Sequence, residues 1–144
     1  MTIEPVKKDD VIEVAKVMMS AYKDEPWNEN WTLEKAELRV NAILGNYKGF
    51  GLKAYDENGI QGALLGFVDP YAEDSDFYVS ELFVKSEKKR KGIGSQLLHE
   101  LYNYLREEGI ETIQLMSIVS NQPFYEKNGM LRDRVGVMYA KVNP

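Results

Sequence analysis

Apolar positions in the first third of the chain follow two different spacings. A short alternation of apolar and polar residues at 3–6 predicts a strand, and the apolar residues of 11–22 then recur at the period of a helix. Residues 23–31 contain a proline and two tryptophans without a clear period, which indicates a loop. A second helical stripe over residues 33–44 ends at Gly45. We therefore expect one strand followed by two amphipathic helices.

The middle of the chain changes to strand-like runs. Residues 50–55 and 60–68 flank Asn58 and Gly59, and an Asn-Gly pair supplies the positive φ angles that a tight hairpin turn requires. The next run, residues 77–84 (FYVSELFV), is rich in aromatic and β-branched residues and predicts a further strand. This region is therefore predicted to form an antiparallel hairpin followed by a strong strand.

The last third combines a long amphipathic helix with shorter elements. Apolar residues recur at helical period over residues 93–105, and residues 112–117 resume a strand pattern, so strand, helix and strand predict a parallel unit with a right-handed crossover. Residues 123–128 predict a short helix, and residues 131–141 predict one or two last strands. We expect one domain that spans residues 1–144, since no linker or internal repeat divides it.

Composition limits the classes of protein that fit. The chain has 144 residues, of which 44% are hydrophobic and 28% charged, a balance typical of one soluble globular domain. It contains no cysteine, which excludes disulfides, thiolate metal sites and cysteine nucleophiles, and we expect no metal. No long apolar run predicts a membrane span or export, so we expect a cytoplasmic protein. The net charge of −5 argues against a nucleic-acid partner.

A basic, glycine-containing turn stands out against this acidic background. The stretch KKRKGIGS, residues 88–95, precedes the long helix, where glycines and a helix N-terminus favour an anion close to the backbone. The spacing is not that of a P-loop, and Leu97 stands where a dinucleotide fingerprint needs its third glycine. The remaining interpretation is a pyrophosphate on the N–H groups of residues 90–95, which suits coenzyme A. The alternative is a solvated basic turn that only caps the helix.

Two motifs in this order carry a resemblance. The run FYVSELFVKSEKKRKGIGSQLL and the later PFYEKNGM resemble the GCN5-related N-acetyltransferase (GNAT) family, with its R/Q-x-x-G-x-G/A signature and short F-Y-E-K-x-G-F helix. The resemblance implies an α/β (α+β) fold with a mixed, mostly antiparallel sheet of six to seven strands and about four helices. It also implies that acetyl-CoA, as cosubstrate, lies where strands four and five, here 77–84 and 112–117, splay apart.

The resemblance carries cofactor contacts over to individual positions. Backbone groups of the fourth strand would bind the pantetheine arm as an added strand would. Lys89 stands in the first position of the signature, where an ammonium meets phosphate as a point charge and lacks the planar fork of arginine. The cofactor residues implied in this way are Leu82, Phe83, Val84, Lys89, Arg90, Lys91, Gly92, Ile93, Gly94, Ser95 and Phe124.

Acetyl transfer from a thioester to an amine needs an acid and a base. The departing thiolate must be stabilised or protonated, and the amine must lose a proton. By the resemblance, Tyr125 is the acid, since a phenol with an ordinary pKa near ~10 is protonated at neutral pH. The alternative is that Phe124 and Tyr125 only pack the short helix onto the core.

Glu81 is the candidate base or acceptor ligand. It lies in the strongest strand, and simple alternation puts it on one face with Phe77, Val79 and Phe83, where an ionised carboxylate is costly unless it is paired or functional. By the resemblance, members of the GNAT family often have an acidic residue at this point of the strand. The alternative is a surface glutamate on an exposed strand face or at a bulge.

Acceptor specificity is expected in the front half of the chain. Trp27 and Trp31 would wall the acceptor pocket, and the acidic loop at residues 69–76 would attract a cation, although tryptophans in loops often anchor packing and acidic loops are often merely solvated. His99, the single histidine, falls opposite the apolar stripe of its helix, so we expect it to face solvent without a catalytic role.

These observations together predict an N-acetyltransferase that uses acetyl-CoA directly, without a covalent enzyme intermediate. The expected acceptor is a primary amine of a small molecule, such as an aminoglycoside, a polyamine or another cationic metabolite. The alternatives are a protein or peptide N-acetyltransferase and a non-catalytic acyl-CoA-binding module. The resemblance also allows a homodimer, although no stretch of the sequence marks an interface.

Overall fold

The computed structural model describes residues 1–143, and within them the chain forms an open five-stranded sheet with helices on both faces. The strands are β1 (Thr2–Pro5), β2 (Phe50–Asp56), β3 (Gly59–Pro70), β4 (Ser75–Val84) and β5 (Thr112–Gln114). The helices are α1 (Val11–Lys23), α2 (Leu33–Leu44), α3 (Ile93–Glu107) and α4 (Gln122–Lys127). Single 3₁₀ turns at Lys8–Asp10, Ser86–Lys88 and Val119–Asn121 precede α1, the glycine turn and α4.

The sheet has the order β1-β2-β3-β4-β5 and mixes two kinds of pairing. The first four strands are antiparallel neighbours, and β5 runs parallel to β4 after the crossover through α3. This confirms the mixed α/β fold with four helices. The expected count of six to seven strands was too high, because residues 131–141 form no strand within the described chain and β5 is only three residues long. A sequence pattern predicts an extended segment, but a strand also needs a neighbour with which to pair.

Each face of the sheet carries its own apolar core. One core lies under α1 and α2 and the other under α3, and β3 contributes side chains to both, which explains its nearly continuous buried run. Fully buried members of the first core include Val14, Met18, Val40 and Leu65, and those of the second include Leu52, Leu64, Leu97 and Leu101.

A β-bulge interrupts β4 near its middle. Leu65 of β3 pairs with Glu81, whereas the next residue, Gly66, pairs with Val79, so Ser80 is an extra residue on β4. A bulge shifts the alternation of side chains by one position from that point onward. Odd-numbered residues before the bulge and odd-numbered residues after it therefore face opposite sides of the sheet.

The bulge corrects the sequence interpretation of Glu81. Phe77 and Val79 lie in the core under α3, whereas Phe83, beyond the bulge, lies in the core under α1 and α2. Glu81 shares its face of the sheet with Phe83 but not with Phe77 or Val79. The prediction from simple alternation was therefore wrong for Phe77 and Val79. The carboxylate consequently faces the side of the sheet that α1 and α2 cover.

None of the helices in residues 1–143 is both long enough and apolar enough to cross a membrane.

Candidate active site

The site begins where β4 and β5 separate. β5 pairs with only the first part of β4, through Asp76, Phe77 and Tyr78, and the remainder of β4 up to Val84 continues without β5 beside it. In the described chain, the backbone of residues 79–84 is therefore open on that side. An open strand edge presents unpaired N–H and C=O groups to whatever lies in the gap. This is the divergence of strands four and five that the sequence predicted.

The glycine turn leads from the end of β4 into α3. Gly92 caps the helix with φ +82°, a left-handed conformation that glycine adopts at little cost. The first helical hydrogen bond runs from Gln96 N–H to the Gly92 carbonyl oxygen at 3.0 Å. The N–H groups of residues 93–95 precede that bond and so carry the positive end of the helix dipole toward the opening.

Gly94 brings the turn into contact with α4. A Cβ atom at Gly94 would lie 3.0 Å from Cζ of Phe124, so the absence of a side chain is what lets the Phe124 ring pack against the start of α3. Phe124 in turn packs edge-to-face on Tyr125, with ring centroids 5.0 Å apart. The two motifs that carry the family resemblance are thus in direct contact.

Lys89 fastens the turn to the end of α1. Its Nζ donates to the carbonyl oxygen of Ala21 at 2.9 Å, and Oγ of Ser86 donates to the carbonyl oxygen of Ser20 at 2.8 Å. Carbonyls in the last turn of a helix have no intrahelical partner and carry the negative end of its dipole, so a cation and a hydroxyl are favoured there. At least one proton of the Lys89 ammonium is therefore committed to α1 and is not directed at an anion.

Glu81 sits at the centre of a small polar cluster. Tyr22 donates its hydroxyl to Oε1 at 2.5 Å, and Arg39 donates Nε and Nη2 to Oε2 at 3.0 and 2.9 Å. The carboxylate side chain is 12% exposed, whereas that of Arg39 is 41% exposed. Two-point contact from arginine fixes the carboxylate and compensates its charge. Glu81 is therefore paired and held on the α1/α2 face.

Two members of this cluster were not predicted from the sequence. Tyr22 was read as part of the apolar stripe of the first helix, where tyrosine is common. Arg39 did carry a signal, because it lies three residues after Ala36 and four before Ile43, within the buried stripe of α2. A charge at such a position requires a buried partner.

Tyr125 lies on α4, next to the Phe124 ring that contacts the glycine turn. Its ring packs against the core under α3. Burial raises the pKa of Tyr125 to about 12, and the negative charge of Glu81 adds to the increase. Burial, followed by the Glu81 charge and hydrogen bond, also raises the pKa of Tyr22. The pKa of Tyr125 is thus higher than the ordinary value assumed from the sequence, and the phenol keeps its proton at neutral pH.

The remaining predicted residues divide between the site and its surroundings. Trp27 packs edge-to-face on Tyr22 with centroids 5.3 Å apart, so it borders the Glu81 cluster. Trp31 instead packs on the core under α1 and α2 and donates Nε1 to Glu29 at 2.8 Å. His99 is exposed on α3, as predicted.

The acidic loop lies away from this cluster. Only residues 71–74 of it join β3 to β4, because Asp69 and Asp76 lie in these strands, and Glu81 is six residues beyond Ser75, roughly 20 Å at the rise of a strand. Glu73 and Asp74 instead line a cavity of about 510 Å³ with Tyr47, Tyr71 and the end of α3. Any attraction that this loop exerts on a cation therefore acts at the opposite end of β4.

Comparison with known proteins agrees with this arrangement. Residues 48–129, more than half of the chain, match the family described as the acetyltransferase (GNAT) domain. The chain is 28% identical over 148 aligned positions to the uncharacterized N-acetyltransferase YhfO of Bacillus subtilis (strain 168), with 96% of this chain and 95% of that protein covered. The segment that matches the family, residues 48–129, contains the hairpin, β4, the glycine turn and α4.

Solved structures share the fold at low identity. An aminoglycoside acetyltransferase from an uncultured soil metagenomic sample, in complex with sisomicin, superposes with a TM-score of 0.76 at 19% identity and covers 99% of this chain and 96% of that one. A ribosomal-protein-alanine N-acetyltransferase from Brucella melitensis biovar Abortus 2308 superposes with a TM-score of 0.78 at 15% identity and covers 98% of this chain and 100% of that one. The names of these two proteins contain different acceptors, so the shared fold does not select between a small molecule and a protein.

Proposed function

Because this chain belongs to the acetyltransferase (GNAT) domain family and is an acetyltransferase, we propose that it moves an acetyl group from acetyl-CoA to a primary amine of a small molecule. The observation that carries the proposal is the separation of β4 from β5. It leaves an open strand edge that leads to the glycine turn at the start of α3, where Phe124 of α4 packs against Gly94 and Tyr125 packs on Phe124. A thioester carrier with an extended arm and a pyrophosphate fits those two features together.

The residues present suit acetyl-CoA at both ends of the molecule. The N–H groups at the start of α3 and the cations of Arg90 and Lys91 favour a pyrophosphate, and Gly92 and Gly94 leave the backbone accessible. The open edge at Leu82, Phe83 and Val84 can hydrogen-bond an amide-containing arm as an added strand would. Because Lys89 is engaged with α1, the backbone N–H groups carry more of the anion contact than the sequence suggested.

Tyr125 is the proposed general acid of direct transfer. The amine nitrogen attacks the thioester carbonyl carbon, the carbon–sulfur bond breaks, and the sulfur leaves as a thiolate unless it receives a proton. The phenol of Tyr125 donates that proton, and its pKa of about 12 ensures that the proton is present at neutral pH. The phenolate is then reprotonated from solvent after the products leave.

Glu81 is the proposed group that receives the acceptor amine. Its carboxylate takes the amine proton directly or through a water molecule, while Arg39 compensates its charge and Tyr22 holds Oε1. Trp27, which packs on Tyr22, offers an aromatic wall for a cationic acceptor. The half-exposed Arg39 selects against an acceptor whose cation would lie beside the guanidinium.

Aminoglycosides, polyamines and related cationic amines remain the proposed acceptor class. The support is the small polar cluster beside an aromatic wall, together with the likeness to an aminoglycoside acetyltransferase. The acidic loop adds no support, since it lies about 20 Å along β4 from Glu81.

The first test is the binding of acetyl-CoA. Calorimetry and thermal unfolding with acetyl-CoA, CoA, ATP and phosphate should show binding of both CoA species only, and a ligand at a hundred times its Kd adds ~2.7 kcal/mol to the unfolding free energy. Gly94→Glu should abolish binding, because its side chain displaces Phe124 and brings a negative charge to the anion site. His99→Glu adds the same charge at an exposed position of the same helix and should bind normally.

The second test measures transfer through release of the CoA thiol. Because the chain contains no cysteine, every thiol that appears in the assay comes from CoA. Thiol release with aminoglycosides or spermidine, and none with peptides that have a free N-terminal alanine, supports the proposed acceptor class. Release with peptides alone supports a protein acceptor, and cofactor binding without release from any amine supports a non-catalytic module.

A further inference from the structure

A cavity of about 510 Å³ lies at the end of β4 that points away from the Glu81 cluster. The start of β2, the end of β3, the start of β4 and the end of α3 line it, together with the loop that joins β3 to β4. Within the described chain, its lining includes no residue of the glycine turn, of α4 or of the open edge at 79–84. Small-molecule sites occupy about 300–1,000 Å³, so the cavity has the size of a separate ligand site.

The inner part of the cavity is apolar and is held in place by packing. Phe77, Val68 and Leu105 line it and are buried members of the core under α3. The ring of Phe50 packs edge-to-face on Phe77, with centroids 6.4 Å apart, and its centroid lies 5.3 Å from that of Tyr104. Because the core holds these rings, an apolar ligand group meets a surface that is already formed.

Two tyrosines at the cavity expose their rings to solvent. Tyr47, in the loop before β2, is 59% exposed, and Tyr71, in the loop after β3, is 57% exposed. The hydroxyl of Tyr71 donates to Oδ2 of Asp69 at 3.0 Å, which orients that side chain. Nζ of Lys48 lies 5.6 Å from the centroid of the Tyr47 ring, a distance at which a ring face attracts a cation. The chain thus places an ammonium group of its own against one of these rings.

The charged groups around the cavity are mostly negative. Glu73 and Asp74 of the loop and Glu108 and Glu111 after α3 provide four carboxylates, and Lys48 is the one cation among the described lining residues, so the formal charge is −3. None of the four carboxylates forms a salt bridge within residues 1–143. The carbonyl end of α3 adds partial negative charge at the same place. The cavity therefore repels anions, whereas its carboxylates and its ring faces both attract a cation.

The lining favours an organic cation over a metal ion. Residues 1–143 contain no group of three His, Asp or Glu side chains that is placed to hold a metal. A metal ion also gains nothing from the apolar surface of Phe77 and Val68, whereas a ligand that has both an apolar body and a positive charge uses the whole lining.

We propose that the cavity binds a small organic ammonium ion with an aromatic or alkyl body, at a site separate from that of acetyl transfer. The apolar body covers the surface formed by Phe50 and Phe77, and the ammonium group lies against the tyrosine rings and the carboxylates of the loop. In the free chain the Lys48 ammonium occupies part of that position, so the ligand displaces it. The site is independent of the proposed function, because none of the groups assigned to the transfer takes part in it.

Direct binding of a quaternary ammonium ion is the first test. Benzyltrimethylammonium has an aromatic body and a permanent charge, and it cannot be acetylated because it has no N–H group. Calorimetry without acetyl-CoA should show saturable binding of this ion and none of phenylacetate, which carries the opposite charge on a similar body. In NMR spectra of the amides, Gly49, Ser75 and Gly109 should shift. Absence of saturable binding, equal binding of phenylacetate, or shifts confined to the surroundings of Glu81 overturns the proposal.

Paired variants then test the carboxylates of the loop. Glu73→Gln with Asp74→Asn should weaken binding of benzyltrimethylammonium by roughly 3- to 30-fold, as expected for two charges that solvent partly screens. Asp9→Asn with Glu57→Gln makes the same change in net charge at exposed positions outside the cavity and should leave the affinity unchanged. Equal affinities in the two double variants would exclude recognition by the loop.

The displacement of Lys48 has an opposite and specific sign. Lys48→Met removes the competing ammonium and should strengthen binding several-fold. Lys16→Met removes the same charge from an exposed position on α1 and should have no effect. If Lys48→Met weakens binding, or if both lysine variants change it equally, the ammonium group of the ligand does not take the position proposed for it.

Discussion

The two faces of the sheet are built from different kinds of sequence information. The proposed cofactor face, formed by the end of β4, the glycine turn, α3 and α4, comes from one stretch of chain between Leu82 and Tyr125. The proposed acceptor face depends on a cluster around Glu81, whose partners Tyr22 and Arg39 lie 59 and 42 residues from it in the sequence. The difference shows that the glycine turn and its neighbours can be recognised from local motifs, whereas the cluster around Glu81 is assembled by tertiary contacts.

The two faces also differ in the sign of their charged groups and in how those groups are paired. The cofactor face offers backbone N–H groups and exposed cations around glycines, which suits a flexible polyanion. The proposed acceptor face holds a single carboxylate whose charge is compensated by a partly buried two-point contact from Arg39. Tyr125 stands where the faces meet, because it packs on the α3 side while its pKa responds to Glu81.

The largest expected effect is on kcat when Tyr125, which lies where the two faces meet, is replaced. Tyr125→Phe should lower kcat by ~10²–10⁴-fold, the usual contribution of a general acid, with little change in the Kd of acetyl-CoA. Tyr102→Phe, which removes a hydroxyl that donates to the carbonyl of Asn128 at the end of α4, should leave kcat within a few-fold. Steady-state kinetics and calorimetry on both variants measure the difference. A wild-type kcat in Tyr125→Phe would reduce Tyr125 to a packing residue.

The next effect concerns the acceptor face alone. Arg39→Met leaves the Glu81 carboxylate with Tyr22 as its remaining partner, and we expect a loss of about 1–3 kcal/mol in unfolding free energy, moderated by the water that reaches Arg39. Adding Glu81→Gln to Arg39→Met should recover most of that loss, because no buried charge then remains. Urea denaturation provides the measurement, and the exposed Arg106→Met should change stability by less than about 0.5 kcal/mol. Equal losses in the single and double variants would contradict charge compensation.

A smaller effect appears in the dependence of stability on alkaline pH. The pKa of Tyr125 is about 12 in the folded protein and near 10 in the unfolded chain. The contribution of this group to the unfolding free energy is therefore fully present below pH 10 and is lost as the pH rises toward 12. At pH 11 the loss from this group should be about 1.4 kcal/mol. Tyr125→Phe removes this contribution, so the stability difference between wild type and variant should shift in favour of the variant between pH 9 and pH 11. Parallel pH profiles for the two proteins would contradict the raised pKa.

The smallest effect tests the glycine turn against a matched position. Gly92→Ala and Gly109→Ala both place a side chain at positive φ, +82° and +72°, with open space around the added methyl group. Each should cost about 1 kcal/mol in unfolding free energy. Gly92→Ala alone should also weaken acetyl-CoA binding, by several-fold, because it distorts the start of α3. Calorimetry on both variants checks this, and equal affinities would remove the turn from the cofactor site.

The sequence predicted most of the scaffold because its elements have strong local patterns. The hairpin between β2 and β3, the long helix α3 and the parallel crossover to β5 all formed as expected, although of the Asn58-Gly59 pair only Gly59 has a positive φ and it already pairs with Asp56. The last strands did not, since residues 131–141 have a strand pattern but no neighbour within one described chain. Pairing depends on what lies beside a segment, and a single sequence does not state that.

The site was predicted only as far as its residues act locally. The contact of Phe124 with Gly94 joins two recognisable motifs. The face on which Glu81 lies could not be predicted, because one extra residue at Ser80 reverses the alternation and no sequence feature marks it. The hydrogen bond from Lys89 to Ala21 could not be predicted either, because its acceptor is a backbone carbonyl and every residue has one.

That attachment bears on how new acceptor specificities can arise. Lys89 and Ser86 hold the cofactor turn to α1 through main-chain oxygens of Ala21 and Ser20, so the turn depends on where α1 ends and not on which side chains it carries. Substitutions of exposed side chains near the end of α1 and in the loop after it therefore leave these two attachments of the turn in place. The attachment of the proposed cofactor turn is therefore separate from the side chains beside the proposed acceptor site, so protein engineering can change those side chains and keep the attachment.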